Sequence, residues 1–403
     1  MSPYKVDLML IGIVGKPNVG KSTFFGAATM APVEIANYPF TTIEPNKGIG
    51  HVRSPCPCKE LDVECTPHNS TCVDGVRWIP IELLDVAGLV PGAWDGKGLG
   101  NRFLDDLQQA DVLINVIDVS GSTDIEGNSV AIGTHDPIED ITFLQKEIDH
   151  WMLGIIKNGL GRIARQAKMK GTKPEAVLAE RLAGLKVTEG QIKDAVRNVA
   201  LPEDPLLWTD ELLLPFCSRL RELSRPTMVA MNKADIASEE NILKVQDFTT
   251  GCTPTMADTE LTLRKAAAAG LVEYVPGDET FKIKDGAKVN DAQRKALERM
   301  NDNLARFKVT GVQKCLENAT YDLLNQITVY PVEDEGKYTD HFGRVLPDAF
   351  LMPRGATAKD LAYRVHSDLG DKFIRAVNAK TKRTVGADYV LLDGDVIKII
   401  ANK

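Results

Sequence analysis

Residues 15–22, which read Gly-Lys-Pro-Asn-Val-Gly-Lys-Ser, constrain the fold of this 403-residue chain more than any other stretch. They match the G-x-x-x-x-G-K-[ST] pattern of a phosphate-binding loop. Residues 7–14 form a nearly continuous apolar run, which predicts a strand buried on both faces. Residues 23–29 read as the start of a helix. Unpaired backbone N–H groups at such a junction surround an anion, so the stretch predicts a nucleotide phosphate site.

Two side chains of this loop carry the predicted chemistry. We expect Lys21 to reach the β and γ phosphates and Ser22 to give its hydroxyl oxygen to Mg²⁺, an ion that prefers oxygen ligands. Residues 37–46 read N-Y-P-F-T-T-I-E-P-N, a composition typical of an extended surface loop. Such loops in nucleotide switches supply a Thr to the Mg²⁺ shell, and we expect Thr42 to do so. The alternative that the two aromatic residues of this segment only anchor it to the core stays open.

A second motif ends the next predicted strand, residues 78–85. Asp85 and Gly88 form a D-x-x-G pattern, in which the carboxylate holds Mg²⁺ through water and the glycine amide contacts the γ-phosphate. The following residue, Leu89, stands where Ras-like enzymes place a water-orienting Gln. We therefore expect slow hydrolysis unless another group supplies charge in the transition state.

A third motif, N-K-x-D, predicts the base. Asn232, Lys233 and Asp235 follow a predicted strand. The carboxylate would accept hydrogen bonds from N1–H and N2–H₂ of guanine, and adenine lacks that pair of donors. Further on, after Met256, the Ala257 amide is expected to supply the last base contact. The N-K-x-D pattern alone is a weak signal, but here it follows the other two motifs in order, each at a strand end.

Four of the seven cysteines fall within seventeen residues. Clustered thiols of this kind can hold a tetrahedral Zn²⁺ or, with less support, an iron–sulfur cluster. Reduced thiols, redox pairing and simple packing are the alternatives, because the spacing is not the usual C-x₂-C pair. The four residues are Cys56, Cys58, Cys65 and Cys72.

Length and charge bound the architecture. A chain of 403 residues exceeds one compact core and predicts two or three domains. The net charge is −8, yet residues 157–173 carry six Lys or Arg and no acidic residue. That run predicts either a solvated helical face or a local contact with RNA phosphates. No apolar run reaches the length of a membrane span and the start lacks a signal-peptide layout, so we expect a soluble, cytoplasmic protein without membrane contact.

The last part of the chain predicts a small α+β module. Short strands alternate there with one helix and with a basic run that is either a soluble face or a contact surface. The strands are predicted at residues 327–332, 349–352, 388–392 and 395–400, the helix around residues 361–366, and the basic run is Lys372, Arg375, Lys380, Lys382 and Arg383.

The motifs Gly-Lys-Pro-Asn-Val-Gly-Lys-Ser, Asn-Tyr-Pro-Phe-Thr-Thr and Asp-Val-Ala-Gly-Leu-Val-Pro-Gly-Ala together resemble the Obg superfamily of P-loop GTPases, specifically its YchF-related branch. The resemblance implies an α/β fold: a doubly wound, mostly parallel sheet with a helical insertion, followed by a ubiquitin-like (β-grasp) TGS domain. The implied division is an OBG-type GTP-binding domain at 1–140 and 206–275, a helical insertion at 141–205, a helical segment packed on the GTP-binding domain at 276–326, and the TGS domain at 327–403.

The resemblance also implies roles for individual residues. Ser22 and Thr42 would hold Mg²⁺, and Asn18 fits the Asn that coordinates K⁺ in related enzymes. Lys21, Thr42 and Gly88 would act in catalysis. The nucleotide would be bound by Asn18, Val19, Gly20, Lys21, Ser22, Thr23, Asp85, Asn232, Lys233, Asp235, Met256 and Ala257. Met256 stands where a Ser is commoner. Several relatives have lost N-K-x-D and accept ATP, so its presence here favours GTP.

The expected function is a Mg²⁺-dependent GTPase that acts as a nucleotide-dependent switch. It would associate with the ribosome or RNA through the basic helical insertion and the TGS domain, as a monomer. Three alternatives stay open: a nucleotide-gated RNA or ribosome adaptor in which hydrolysis is incidental, an ATPase as in other YchF relatives, and a cysteine-based metal or redox sensor.

Overall fold

The computed structural model describes residues 8–30, 46–89, 91–95, 106–171 and 173–402. The predicted Mg²⁺ ligand Thr42 lies outside these residues, as does the rest of the segment 31–45. In the described parts of the chain, no helix has both the length and the apolar character that crossing a membrane requires.

A seven-stranded sheet forms the centre of the first domain. Its strands are β1 (Leu10–Val14), β2 (Lys47–Pro55), β3 (Thr71–Val73), β4 (Val76–Asp85), β5 (Val112–Asp118), β6 (Thr227–Asn232) and β7 (Cys252–Pro254). Their order is β2-β4-β1-β5-β6-β7, with β3 paired to β4. The strands from β4 to β7 in this order run parallel, whereas β2 and β3 are antiparallel to β4. The carboxyl ends of the parallel strands meet at one edge, where ligands bind in such sheets.

The sheet is covered on both faces. All residues of β1 and β5 are buried, as the apolar runs predict for strands between two layers of helices. Ile11 and Ile13 belong to one core cluster together with Phe24 of helix α1 (Lys21–Thr29). Leu10 and Val14, on the opposite face of β1, belong to a second cluster built mainly from helices.

Those helices form a region between β5 and β6. The first of them, α2 (Pro137–Lys157), begins after Asp136, whose carboxylate accepts a hydrogen bond from the Ile138 amide, and Pro137 occupies its first position. The apolar sides of the helices pack on one another and on the sheet. The predicted insertion, residues 141–205, falls within this region. Its helices are α2 (Pro137–Lys157), α3 (Leu160–Lys170), α4 (Pro174–Leu182), α5 (Glu189–Val199) and α6 (Asp210–Ser224).

The chain then completes the sheet and adds a smaller helical part. A short hairpin separates the last helix of the nucleotide domain from a helix with a capping box, in which Asn290 and Gln293 bond each other's backbone. The elements are α7 (Glu239–Phe248), α8 (Ala257–Ala268), β8 (Val272–Glu273), β9 (Lys282–Ile283), α9 (Asp291–Phe307) and α10 (Val312–Glu317), which continues as a π-helix over Asn318–Leu323.

The C-terminal domain contains a separate five-stranded sheet. Its elements are β10 (Gln326–Val332), β11 (Phe350–Pro353), α11 (Ala358–Val365), α12 (Ser367–Asp371), β12 (Phe373–Asn378), β13 (Arg383–Val385) and β14 (Val396–Ala401). The strand order is β11-β10-β14-β12-β13. The strand predicted at 388–392 is wrong, because only a single bridge joins Val390 to Thr357. The basic run instead lies on the hairpin β12–β13, whose exposed positions carry its charges.

Candidate nucleotide-binding site

The loop between β1 and α1 has a backbone that only particular residues tolerate. Gly15 and Gly20 have φ values of +143° and +97°. A Cβ on Gly15 would lie 2.3 Å from the Val116 carbonyl oxygen, and one on Gly20 would lie 2.3 Å from Asn232 Nδ2. The two glycines of the motif therefore let β5 and β6 approach the loop closely. The loop lies at the carboxyl edge of the sheet, as predicted.

Lys21, the first residue of α1, is 7% exposed. Its Nζ donates a hydrogen bond to the Lys16 carbonyl oxygen at 2.7 Å, so the side chain folds back across the loop. Burial lowers the pKa of Lys21 to about 8, against the opposing effect of the Asp85 carboxylate. Burial removes the water that would stabilise the charged ammonium group. A bound phosphate would stabilise that charge instead.

Ser22 and Asp85, the two described residues that we expect to hold Mg²⁺, lie in contact with each other. The Ser22 hydroxyl donates to Asp85 Oδ2 at 3.2 Å, which brings the phosphate loop to the end of β4. Burial raises the pKa of Asp85, while the Ser22 hydrogen bond and the Lys21 charge oppose that rise. A hydroxyl and a carboxylate are hard oxygen donors of the kind Mg²⁺ takes beside nucleotide phosphates. These two residues fit the ion, whereas the third predicted ligand lies outside the described residues.

The D-x-x-G glycine is exposed, whereas the residue after it is buried. Gly88 is exposed next to the loop, and a Cβ there would lie 3.3 Å from Lys21 Nζ. Leu89 is 1% exposed, packs into the core and donates its amide to the Gly15 carbonyl oxygen at 3.2 Å. The position where Ras-like enzymes place a water-orienting Gln is therefore a packing position in this chain.

Asn18 sits at the tip of the loop with a φ of +61°. Its Nδ2 donates to the Gly127 carbonyl oxygen at 2.9 Å. An amide side chain held by its nitrogen keeps its carbonyl oxygen as the atom that can coordinate a cation. This arrangement is compatible with the K⁺ role implied for Asn18, which stays a prediction. Val19 is buried below the tip, and Thr23 is half-buried on α1.

Asn232, the first residue of the N-K-x-D motif, links two parts of the site. Its Nδ2 donates to the Val19 carbonyl oxygen at 2.8 Å, and its Oδ1 accepts from the Ala257 amide at 3.0 Å. The side chain is 4% exposed. It thus ties the phosphate loop to the start of α8. One N–H of its amide remains for a base.

The Ala257 amide differs from its predicted role. We expected it to contact the base, but it donates to Asn232, so a base contact through it requires that bond to be replaced. Met256 is buried and its amide donates to the Thr310 carbonyl oxygen at 2.7 Å. The Met256 side chain therefore belongs to the core under this loop. Asp235 is exposed in the turn after Lys233.

Lys233 has a partner that the motif did not reveal. Its Nζ contacts Asp118 Oδ2 at 2.8 Å and the Ser122 hydroxyl at 3.1 Å. Asp118 ends β5, is fully buried, and also accepts from the Ser120 and Thr123 hydroxyls. Burial alone would raise the pKa of Asp118, but the Lys233 bond and the hydroxyls lower it. The sequence signal that could have predicted this contact is an Asp at the end of a strand, followed by several Ser and Thr residues.

A buried charge cluster behind the loop was also missed. Lys16 Nζ lies 2.7 Å from Asp140 Oδ1 and donates to the Thr123 carbonyl oxygen at 2.8 Å. His135 Nε2 lies 2.7 Å from the same carboxylate oxygen. The Lys16 and Asp140 side chains are 0% and 2% exposed. The cluster fixes the phosphate loop to the start of α2, and no local pattern marks it because its members are distant in sequence.

The four clustered cysteines lie away from this site, at the opposite end of β2 and β4. Cys56 and Cys58 follow β2, and Cys72 lies in β3. Their sulfur atoms and that of Cys65 all lie within 4.8 Å of one another. A hydrogen bond with Cys72 and the positive charge of Arg77 lower the pKa of Cys56, against the effect of burial. The structure therefore gathers the predicted metal ligands into one group.

Three family models match parts of the chain. A model described as a 50S ribosome-binding GTPase matches residues 10–150. A model described as Obg-like GTPase YGR210-like, G4 motif-containing domain, matches residues 230–334. A TGS domain model matches residues 342–401.

Whole-chain relatives extend these matches. A GTP-binding protein of Methanocaldococcus jannaschii is 51% identical over 98% of this chain and 99% of its own length. The ribosome-binding ATPase YchF of Bacillus subtilis is 28% identical over 96% of this chain and 97% of its own. The crystal structure of a GTP binding protein from Pyrococcus horikoshii covers 98% of this chain and all of its own, at 41% identity and a TM-score of 0.78.

Proposed function

Because this chain belongs to the YchF-related branch of the Obg-like P-loop GTPases, we propose that it binds GTP with Mg²⁺, hydrolyses it slowly to GDP and phosphate, and acts as a nucleotide-dependent switch associated with the ribosome. The observation that carries the proposal is the convergence of Lys21, Ser22 and Asp85 with the N-K-x-D motif at one sheet edge.

The choice of GTP over ATP rests on the N-K-x-D loop. Lys233 is held by the buried Asp118, which fixes the turn that carries Asp235. A carboxylate presented there can accept both hydrogen bonds from the guanine edge, whereas adenine would leave it unpaired. Some relatives are named ATPases and others GTP-binding proteins, so this loop supplies the discriminating feature.

Hydrolysis requires charge stabilisation more than covalent help from the protein. Lys21 would approach the β and γ phosphates, and the amides of the loop would bind their oxygens. Bound Mg²⁺, held by Ser22 and through water by Asp85, would neutralise phosphate charge. Since Leu89 is buried in the core, the attacking water lacks a side chain from that position, which supports slow unaided turnover.

A competition experiment tests the nucleotide assignment. Fluorescent GDP bound to the purified chain should be displaced by GTP far more effectively than by ATP. Equal displacement by ATP would contradict the guanine assignment. In phosphate-release assays Lys21→Ala should lose turnover, and unchanged turnover would remove the proposed catalytic site.

The ribosome part of the proposal rests on a relative's name and on exposed basic residues. The Bacillus subtilis relative is named a ribosome-binding ATPase. Arg162, Arg165 and Lys168 are exposed on α3, within the acid-free run. The same relative supports a place in the cytoplasm, where ribosomes are found, whereas the monomeric state stays a prediction.

Co-sedimentation with ribosomes tests this part. The chain should pellet with ribosomes to different extents with a non-hydrolysable GTP analogue, with GDP and without nucleotide, at one stated salt concentration. If the fraction of protein that pellets with ribosomes were the same in all three nucleotide states, the result would contradict a switch and favour a simple adaptor in which hydrolysis is incidental.

A further inference from the structure

The spacing of the four clustered sulfur atoms fits one metal ion. A tetrahedral centre with metal–sulfur distances of ~2.3 Å places its sulfur atoms ~3.8 Å apart. Here Cys58 Sγ and Cys72 Sγ are 3.8 Å apart, and Cys56 Sγ and Cys65 Sγ are 4.0 Å apart. All four sulfur atoms lie within 4.8 Å of one another, so each is close to the other three.

The competing explanations fit this spacing less well. A disulfide brings two sulfur atoms to ~2.05 Å, and redox pairing would give two separate pairs rather than four atoms around one point. A polynuclear iron–sulfur cluster inserts several metal atoms among its thiolates and needs wider separation than a single ion. Four thiolates in a tetrahedron are the ligand set of structural zinc, with no position left open for substrate.

The segment between the cysteines also contacts the C-terminal domain. Residues 59–70 form neither helix nor strand, yet they hydrogen-bond to the segment 345–349. The bonds run from the Thr66 amide to the Val345 carbonyl at 2.9 Å, from the His68 amide to the Pro347 carbonyl at 2.6 Å, from the Val345 amide to the Thr66 hydroxyl at 2.7 Å, and from the Ala349 amide to Asn69 Oδ1 at 2.9 Å.

Arg77 joins the thiols to the same interface. It is 0% exposed, and its Nη2 donates to Cys56 Sγ at 3.4 Å and to the Leu346 carbonyl oxygen at 3.0 Å. Its guanidinium lies 5.3 Å from the centre of the Tyr330 ring on β10. Because Arg77 contacts both the Cys56 sulfur and the domain interface, a change in the position of that sulfur would also change the contact with the C-terminal domain.

We propose that Cys56, Cys58, Cys65 and Cys72 bind one structural Zn²⁺ and that this ion holds residues 56–72 in the conformation that docks the C-terminal domain. A loop without regular secondary structure has few backbone hydrogen bonds to fix its conformation. A metal ion bound by four residues of the segment would fix that conformation instead.

Metal analysis of the full chain tests the site directly. Protein without an affinity tag, from cells grown with added zinc, should contain about one zinc per chain, and Cys252→Ser, a half-buried thiol outside the cluster, should retain it. Cys72→Ser should lose most of the zinc. Co²⁺ exchanged into the wild-type site should show the visible absorption of tetrahedral tetrathiolate coordination. Wild-type protein with neither zinc nor cobalt uptake, or with iron instead, would overturn the assignment.

Hydrogen exchange tests the docking role. In Cys72→Ser, amides of residues 66–69 and 345–349 should exchange at least ~10-fold faster than in wild type and in Cys252→Ser. Retained GDP binding would show that the nucleotide domain of the variant is still folded. If Cys72→Ser fails to fold, zinc removal from wild type by a chelator gives the same comparison. Zinc loss with unchanged exchange at the interface would overturn the docking role.

Discussion

Lys21 combines a buried side chain with a proposed function that needs positive charge. Its ammonium group donates a hydrogen bond to the Lys16 carbonyl oxygen, and burial already lowers its pKa to about 8. The motif predicts a phosphate contact for this residue, because the pattern itself is typical of phosphate-binding loops, and that contact stays a prediction. The motif did not predict Lys16, Asp118 or Asp140, since their partners come from other strands and helices and are known only once the chain has folded.

The first prediction concerns pH. Above pH 8 the free protein holds Lys21 mostly neutral, and phosphates favour the charged form, so nucleotide binding must then take up a proton. Uptake should rise from near zero at pH 7 to about one proton per nucleotide at pH 9. Affinity should fall over the same window. Calorimetry in buffers with different ionisation enthalpies measures the uptake.

The control for this titration is Lys21→Arg, because a guanidinium stays charged throughout the range. Any binding that the variant retains should show no proton uptake. Wild-type protein that binds GDP at pH 9 without taking up a proton would contradict the lowered pKa.

The second prediction concerns the base. Asp235→Asn replaces one acceptor with a donor that clashes electrostatically with guanine N2–H₂ but matches the carbonyl of xanthine. GDP affinity should fall by about 3 kcal/mol, roughly 100-fold, and xanthosine diphosphate should bind better than GDP. Equilibrium titration with both nucleotides measures the change.

The control is Asp258→Asn, which changes an exposed carboxylate outside the N-K-x-D motif. This variant should keep the preference for GDP, and a loss of that preference would argue against a specific role for Asp235.

At the scale of elements, periodicity predicted the buried parallel strands well because burial on both faces leaves an apolar run. In the C-terminal domain it predicted β10, β11 and β14, but it failed at residues 388–392 and at the hairpin β12–β13. Residues 388–392 are apolar enough for a strand, yet their position is set by bonds such as that from the Leu391 amide to the Ala356 carbonyl. The hairpin β12–β13 was missed because its exposed faces carry basic residues, which hide the apolar alternation.

The third prediction concerns the link between the phosphate loop and α2. Asp140→Ala leaves Lys16 charged and buried without its carboxylate, which should cost about 3–5 kcal/mol in the free energy of unfolding. Urea denaturation measures the loss. The matched control is Lys193→Ala, which breaks the half-exposed pair of Lys193 and Glu189 and should cost less than about 1 kcal/mol. Equal losses in the two variants would contradict a structural role for the buried pair.

At the scale of the whole molecule, the resemblance predicted a nucleotide domain and a TGS domain, and the family models confirm both. It could not predict how they meet, because part of the interface is made by residues 56–72, and the cysteine cluster of this segment is not part of the general superfamily pattern. The charge distribution likewise belongs to the molecule as a whole: in this acidic chain, residues 157–173 carry six basic and no acidic residues, and Arg162, Arg165 and Lys168 of that run are exposed on α3.

The fourth prediction concerns that helix. Replacing Arg162, Arg165 and Lys168 together by Ala should weaken ribosome binding and reduce its salt dependence by up to about three units of the logarithmic slope. Sedimentation over a series of salt concentrations measures both. The control replaces three exposed residues of α9, Arg294, Lys295 and Arg299, which removes the same charge. Equal effects of the two triple variants would mean that net charge, rather than α3, governs the association.

Strand β2 has a mechanical consequence for the protein. It follows directly on the segment that contains Thr42, runs for nine residues, ~30 Å, in unbroken pairing with β4, and ends beside Cys56 and the C-terminal domain. A paired strand resists sliding, because a one-residue slip would turn its buried side chains outward. It can therefore move as one rigid element. A displacement of β2 at the end next to the nucleotide site would tilt the whole strand and so move its other end, which contacts the C-terminal domain.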